Sequence, residues 1–159
     1  MFKYLTKKAI REAQKSWAAG VIEIGESFSK NEDYKTITEE FVDRHYGYKE
    51  GIVLFKPTLA SIEQFRETSE KAISYFISGN PKFPEDLGFA LRPWKKIRFR
   101  NTGIVQIKNH AVAMGNYFFT DMDGNETKVE YTMGYFLTEN GNLKINVHHS
   151  SMPFQTSSK

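Results

Sequence analysis

Ala9, Ile10, Ala13, Trp17, Ile24 and Phe28 recur at helical spacings with charged residues between them, which predicts an opening amphipathic helix. Gly20 and Gly25 weaken that pattern towards its end. A second helix is expected from Tyr34 to Tyr46, with Thr38 as its start, Phe41, Val42 and His45 on one side, and Gly47 as the stop. Gly51-Ile52-Val53-Leu54-Phe55-Lys56 reads as a strand closed by Pro57. A third helix is expected from Leu59 to Ile77, with Ile62, Phe65, Ser69, Ala72, Ile73 and Phe76 as its stripe. Ser61-Ile62-Glu63-Gln64 fits a capping box for it, and Gly79 and Pro81 fit its end.

Beyond Pro84 the pattern changes to alternation. Strands are predicted at 96–100, 103–108, 110–120, 127–137 and 142–149, separated by Asn101-Thr102-Gly103, Asp123-Gly124 and Asn140-Gly141. Helices followed by an antiparallel meander make an α+β domain, with helices packed on one face of a curved sheet. A twisted sheet wrapped over a long helix leaves a cavity at its open end, where small-molecule sites tend to lie.

The 159 residues suffice for one domain, and 40% apolar with 26% charged residues excludes wholesale disorder. Lys and Arg number 22 against 19 acidic residues, but the charges are interspersed. The Lys95-Lys96-Ile97-Arg98-Phe99-Arg100 run is too short for a nucleic-acid or membrane surface, so neither partner is expected. Cysteine is absent, which removes disulfides, thiolate nucleophiles and Cys metal sites. Lys3, Lys7 and Lys8 are followed by Arg11 and Glu12 rather than an apolar run, so no secretory signal is read, no membrane-spanning run is seen, and a cytoplasmic location is expected.

The chemistry concentrates in Leu143-Lys144-Ile145-Asn146-Val147-His148-His149-Ser150-Ser151. Strict period-two alternation puts Leu143, Ile145, Val147, His149 and Ser151 on one face, and Lys144, Asn146, His148 and Ser150 on the other. The first set begins apolar and ends with an imidazole and a hydroxyl, as a core-facing strand does at a pocket mouth. Imidazole can take or hand on a proton near neutral pH. The plain alternative is a structural histidine bonded to backbone. Adjacent strand residues point to opposite faces, so His148 and His149 do not chelate one ion, and His45 and His110 are remote in sequence. Thr58, after Pro57, is either a site hydroxyl or an N-cap. Tyr75 borders the stripe of the third helix, and Tyr117, Phe118, Phe119, Tyr131, Tyr135 and Phe136 read as core. No phosphate loop, dinucleotide fingerprint, nucleophilic triad spacing or carboxylate pair is present.

Several ordered motifs carry a family resemblance. They are Val53-Leu54-Phe55-Lys56-Pro57-Thr58, Ala72-Ile73-Ser74-Tyr75-Phe76, Asp86-Leu87-Gly88-Phe89-Ala90, and Pro93-Trp94 with Ile97-Arg98-Phe99. Then follow Ala113-Met114-Gly115-Asn116-Tyr117-Phe118-Phe119-Thr120-Asp121, Lys128-Val129-Glu130-Tyr131-Thr132-Met133-Gly134-Tyr135, and the closing His148-His149-Ser150-Ser151-Met152-Pro153. Over residues 9–154 the chain resembles the iota-class carbonic anhydrases.

That resemblance implies a cone-shaped α+β domain of the nuclear-transport-factor-2 kind, a homodimer, and reversible hydration of carbon dioxide to bicarbonate. It implies no metal cofactor, a divalent ion such as manganese or zinc being the alternative. It also implies a pocket of Thr, Tyr, His and Ser, carried here to Thr58, Tyr75, His149 and Ser151. Thr58, Tyr75 and Ser151 would orient water and substrate, and His149 would take or relay the proton. One domain at 9–154 is expected between a short N-terminal extension, 1–8, and a frayed tail, 155–159, with the dimer on the outer sheet face near His148 and Ser150. Two rival readings use the same fold: a non-catalytic association domain like that of calcium/calmodulin-dependent kinases, and an isomerase or cyclase, which would need a larger pocket and a buried acid.

Overall fold

The structure, a computed structural model, describes residues 4–157; the ends of the expected extension (1–3) and of the expected tail (158–159) lie outside the described residues. Helix α1 (Lys7–Ser29) starts at Thr6, whose hydroxyl accepts from the Ala9 N–H at 3.0 Å. Its apolar stripe buries Ile10, Trp17, Val21 and Ile24. Helix α2 (Tyr34–His45) is capped by Asp33 rather than Thr38, and Thr38 instead lies buried with Phe41, Val42 and His45. Gly20 permits the crossing of the two helices, since a Cβ there would stand 2.5 Å from the Phe41 ring.

Strand β1 (Leu54–Lys56) is short, and helix α3 spans only Ser69–Ile77. The expected helix from Leu59 does not form before Thr68, which caps α3. The competing interaction is the Glu85 carboxylate, which accepts from the backbone N–H groups of Ser61, Ile62 and Glu63 and from the Ser61 hydroxyl at 2.8–3.2 Å. The Arg66 N–H meanwhile donates to the Phe55 carbonyl at 2.7 Å. With their amides taken, these residues form a loop, and Ile62 and Phe65, expected in the core, are exposed.

Four long strands complete a sheet: β2 (Trp94–Ile107), β3 (His110–Asp121), β4 (Glu126–Leu137) and β5 (Leu143–Ser151). The order is β1-β5-β4-β3-β2, antiparallel except for the β1–β5 pair. Asn101-Thr102-Gly103, expected to separate two strands, is a bulge inside β2. The bulge turns Asn101 towards α1, where its amide and that of Gln14 exchange hydrogen bonds of 2.7 and 2.8 Å. β4 places Val129, Tyr131, Met133 and Tyr135 on the face that packs against the helices around Trp17.

β5 departs from strict alternation. Gly134 pairs with Val147 but Tyr135 with Ile145, so Asn146 is an extra residue. Ile145 faces the core, and beyond the bulge His148 and Ser150 do, while His149 is exposed and Ser151 only partly buried. The expected placement of His149 and Ser151 on the inner face is therefore corrected: one inserted residue reverses every side chain beyond it. For the same reason the outer face carries His149 and Ser151, not His148 and Ser150.

The loop before α3 is fastened by Arg66, which is fully buried and grips Asp86 through two hydrogen bonds of 2.7 and 2.8 Å. Removing one partner of such a pair strands a buried charge. Asp86→Ala should lower the unfolding free energy in urea by about 3–5 kcal/mol. The double replacement Arg66→Met, Asp86→Leu should lower it by less than Asp86→Ala alone.

Candidate active site

Phe55 in β1 pairs with His148 in β5 and stacks on its ring at 4.7 Å and 10°. Pro57 ends that strand, and the next residue, Thr58, brings its hydroxyl 2.5 Å from the Ser150 hydroxyl. The inward half of the last strand and the turn after the first thus meet at one point. Tyr117 enters from β3, its hydroxyl donating to Ser150 Oγ at 2.5 Å and lying 3.2 Å from His148 Nε2. Tyr46, just past α2, lies 2.9 Å from His148 Nδ1 and accepts from Trp17 Nε1 at 3.0 Å.

The donors set the direction of this chain. Trp17 can only donate, so the Tyr46 hydroxyl spends its own proton on His148 Nδ1. A neutral His148 then carries its hydrogen on Nε2 and donates to Tyr117, which donates to Ser150, which donates to Thr58. The Thr58 hydroxyl proton is left to point at whatever occupies the adjoining space.

That space is a cavity of about 10 Å³, lined by Thr58, Tyr75, Tyr117, His148 and Ser150 among the aromatic rings of Trp17, Phe55, Phe76 and Phe89. One water needs about 10–15 Å³ on such a measure, so the cavity is matched to a very small guest. Thr58 and Phe89 also line a wider apolar vestibule of about 750 Å³, which leads outwards past Leu59, Leu87, Trp94 and Met152.

Burial dominates the electrostatics. It pushes His148 down to about 3, with His149 beside it acting in the same direction, so the imidazole stays neutral at physiological pH. It raises the phenols of Tyr75 and Tyr117 far above their usual value, against an opposing pull from the Thr58 hydroxyl on both and the Ser150 hydroxyl on Tyr117. Every polar group at the floor is thus an uncharged donor-acceptor, suited to orienting water and to meeting negative charge that develops during a reaction.

Of the residues singled out from the sequence, Thr58 and Tyr75 line this cavity, whereas His149 and Ser151 lie across the sheet, where the Ser151 hydroxyl donates to Glu130 at 3.1 Å. His148, Ser150, Tyr117 and Tyr46 are the members that sequence reasoning missed. The legible hint was Asn146, a poor strand former. It lies beside Gly134, where a Cβ would stand 2.9 Å from its Oδ1.

Comparison with known proteins gives a consistent result. The family described as metal-independent carbonic anhydrase matches residues 8–152. A metal-independent carbonic anhydrase from Nostoc sp. (strain PCC 7120 / SAG 25.82 / UTEX 2576) is 38% identical over 154 residues, which cover 95% of this chain and 75% of the relative. The crystal structure of an iota-carbonic anhydrase from a cyanobacterium, complexed with bicarbonate, superposes with a TM-score of 0.93 at 36% identity over 98% of this chain and 97% of that one. A calcium/calmodulin-dependent kinase II association domain from Xanthomonas campestris has a TM-score of 0.66 at 20% identity, covering 96% and 91% of the two chains. A nuclear transport factor 2-like protein from Salmonella enterica has 0.56 at 13%, covering 95% and 93%. The last two show the fold alone, which is nuclear-transport-factor-2-like and α+β as expected.

Buried neutral histidines make stability depend on acid. His45, buried near Arg44 and Lys144, is likewise pushed down to about 3. An unfolded chain protonates each histidine near 6.5, the folded chain only near 3, so the unfolded state binds more protons between those values and stability falls as pH falls through that window. The slope should approach about 1.4 kcal/mol per pH unit for each histidine. Urea unfolding from pH 7 to 4 should show this loss, and His45→Phe should flatten it.

Proposed function

The chain belongs to the metal-independent carbonic anhydrases, enzymes of the reversible hydration of carbon dioxide to bicarbonate, and we propose that its reaction runs where the vestibule meets the small cavity floored by Thr58, Tyr75, Tyr117 and Ser150. The observation that carries this reading is the short Thr58–Ser150–Tyr117 hydroxyl cluster, held by a neutral His148 and opening on an apolar vestibule. Carbon dioxide is uncharged and apolar, so it loses little on leaving water for such walls, whereas an ion loses its hydration.

Without a resident cation, the barrier is lowered by positioning and by proton transfer within the cluster. A water held by Thr58 and Ser150 attacks the carbon and forms the new C–O bond. The proton it gives up passes to Ser150 Oγ as the Ser150 proton moves along its hydrogen bond to Thr58 and Thr58 delivers its own proton to a carbon dioxide oxygen. The product is carbonic acid, which ionises to bicarbonate as it leaves. No charge is stored on the protein at any stage.

His148 is not the proton's destination. Both its nitrogens are engaged, and the chain behind it ends at the buried Trp17 N–H, which has nothing to accept with. His148 positions Tyr117, and the proton leaves by the mouth. This replaces the expected role of His149 as proton acceptor. The buried acid that an isomerase or cyclase reading needs does not line this floor, whose polar side chains are hydroxyls and one imidazole.

The second part of the proposal is a homodimer through the outer sheet face. Val105 and Ile107 of β2 and Val112 and Met114 of β3 are exposed there together, next to His149 and Ser151. Burial against a second copy would remove this apolar patch from water.

Stopped-flow carbon dioxide hydration tests the site. Ser150→Ala should lower the rate by about 10²–10⁴-fold, as loss of a positioned proton-transfer group does, and Tyr117→Phe and Thr58→Val should also lower it strongly. His149→Ala and Ser151→Ala should stay within about three-fold of the parent, because their side chains face away. Equal losses on both faces would refute the assignment. For the dimer, Val112→Glu with Met114→Glu should halve the mass measured by light scattering, since two buried charges cost more than the contact returns.

A further inference from the structure

The vestibule is far larger than the reaction requires. The inner cavity has room for about one water, and carbon dioxide takes up only the nearest part of the space of about 750 Å³ in front of it, a volume within the range of sites that hold drug-sized ligands. Its walls are mainly apolar, and Leu59 and Leu87 stand 61% and 87% exposed at its edge. Among the described residues the one charged side chain that lines it is a cation, Arg92, held over the Trp94 ring at 4.8 Å and 3.4 Å from Asp121. Thr58 lines both compartments, so the hydroxyl floor is continuous with the apolar wall.

These features define one ligand chemistry. Bicarbonate is a carboxylate that bears a hydroxyl where an organic acid bears a carbon chain. The Ser150 proton can turn from Thr58 to an entering anion, so a group that seats its two oxygens on Thr58 and Ser150 points its third substituent past Phe89 into the vestibule. We infer that the protein binds apolar monocarboxylates, the carboxylate on the Thr58–Ser150 hydroxyls and the alkyl or aryl chain in the vestibule, and that such acids compete with bicarbonate. The inference rests on the proposal that bicarbonate forms at this cluster. It gives the enzyme a means of sensing organic acids through the same site.

The test is a homologous series of acetate, butyrate, hexanoate and octanoate, with octanol as the uncharged control. Inhibition of bicarbonate dehydration is measured alongside direct binding followed by the emission of Trp94, which lines the vestibule, with Trp94→Phe as the blank. Each buried methylene should tighten binding roughly three- to four-fold, so octanoate should inhibit competitively at least a hundred-fold better than acetate. Octanol should be much the weaker ligand. Leu87→Glu, at the rim and outside the reacting groups, should weaken octanoate at least ten-fold and leave hydration unchanged. An inhibition constant independent of chain length, or octanol binding as tightly as octanoate, would overturn the assignment in an enzyme that is otherwise active. Absence of hydration activity would count against the carbonic anhydrase site, while the emission titration still decides carboxylate binding by itself.

Discussion

An imidazole taken out of water needs a partner at each nitrogen, and His148 meets that need with Tyr46 on one side and Tyr117 on the other. Much of the architecture follows from this requirement. Trp17 must sit at the centre of α1 to satisfy Tyr46, α2 must end where Tyr46 can reach across, and β3 must bring Tyr117 over the last strand. The phenols that satisfy the imidazole also align it, so an element of core packing ends in an oriented hydroxyl. Fold stability and site geometry share the same bonds, and the chain would lose both if any link were broken.

The other half of the site depends on a loop, which has no ladder to hold it. Thr58 stays opposite Ser150 because the segment after it is bound on both sides. Glu85 gathers three of its backbone amides, and Arg66 ties its far end to Asp86, which in turn accepts from Ser74 beside Tyr75 at 2.5 Å. These contacts hold Thr58 and Tyr75, from different elements, at one cavity. Arg66 also passes 5.8 Å from the Tyr75 ring centre, which couples the clamp to the site wall.

A carbon dioxide hydratase without a fixed dication has a specific electrostatic problem. A metal-bound water is acidic near neutrality, whereas free water is not. The mechanism proposed here makes no hydroxide at all, because neutral hydroxyls would pass protons as the C–O bond forms and the pocket would stay uncharged. The depressed basicity of His148 suits this plan, since a protonated imidazole in that environment would be costly.

The helices, the meander, the α+β class and the family were legible in the amino-acid sequence, because each depends on periodicities and motifs that neighbouring residues carry by themselves. Thr58 and Tyr75 were legible through such motifs. The choice between His148 and His149 was not. Alternation along Leu143, Ile145 and Val147 points to His149, and the reversal comes from the way β5 pairs with β4, where Asn146 is left over opposite Gly134 and Tyr135. A bulge is a property of two strands in register, not of one strand's side chains. Likewise the helix expected from Leu59 was sound as local pattern but lost its amides to Glu85, a residue far along the chain. Local sequence decides which elements form; long-range hydrogen bonds between them decide where they begin and which face each side chain takes.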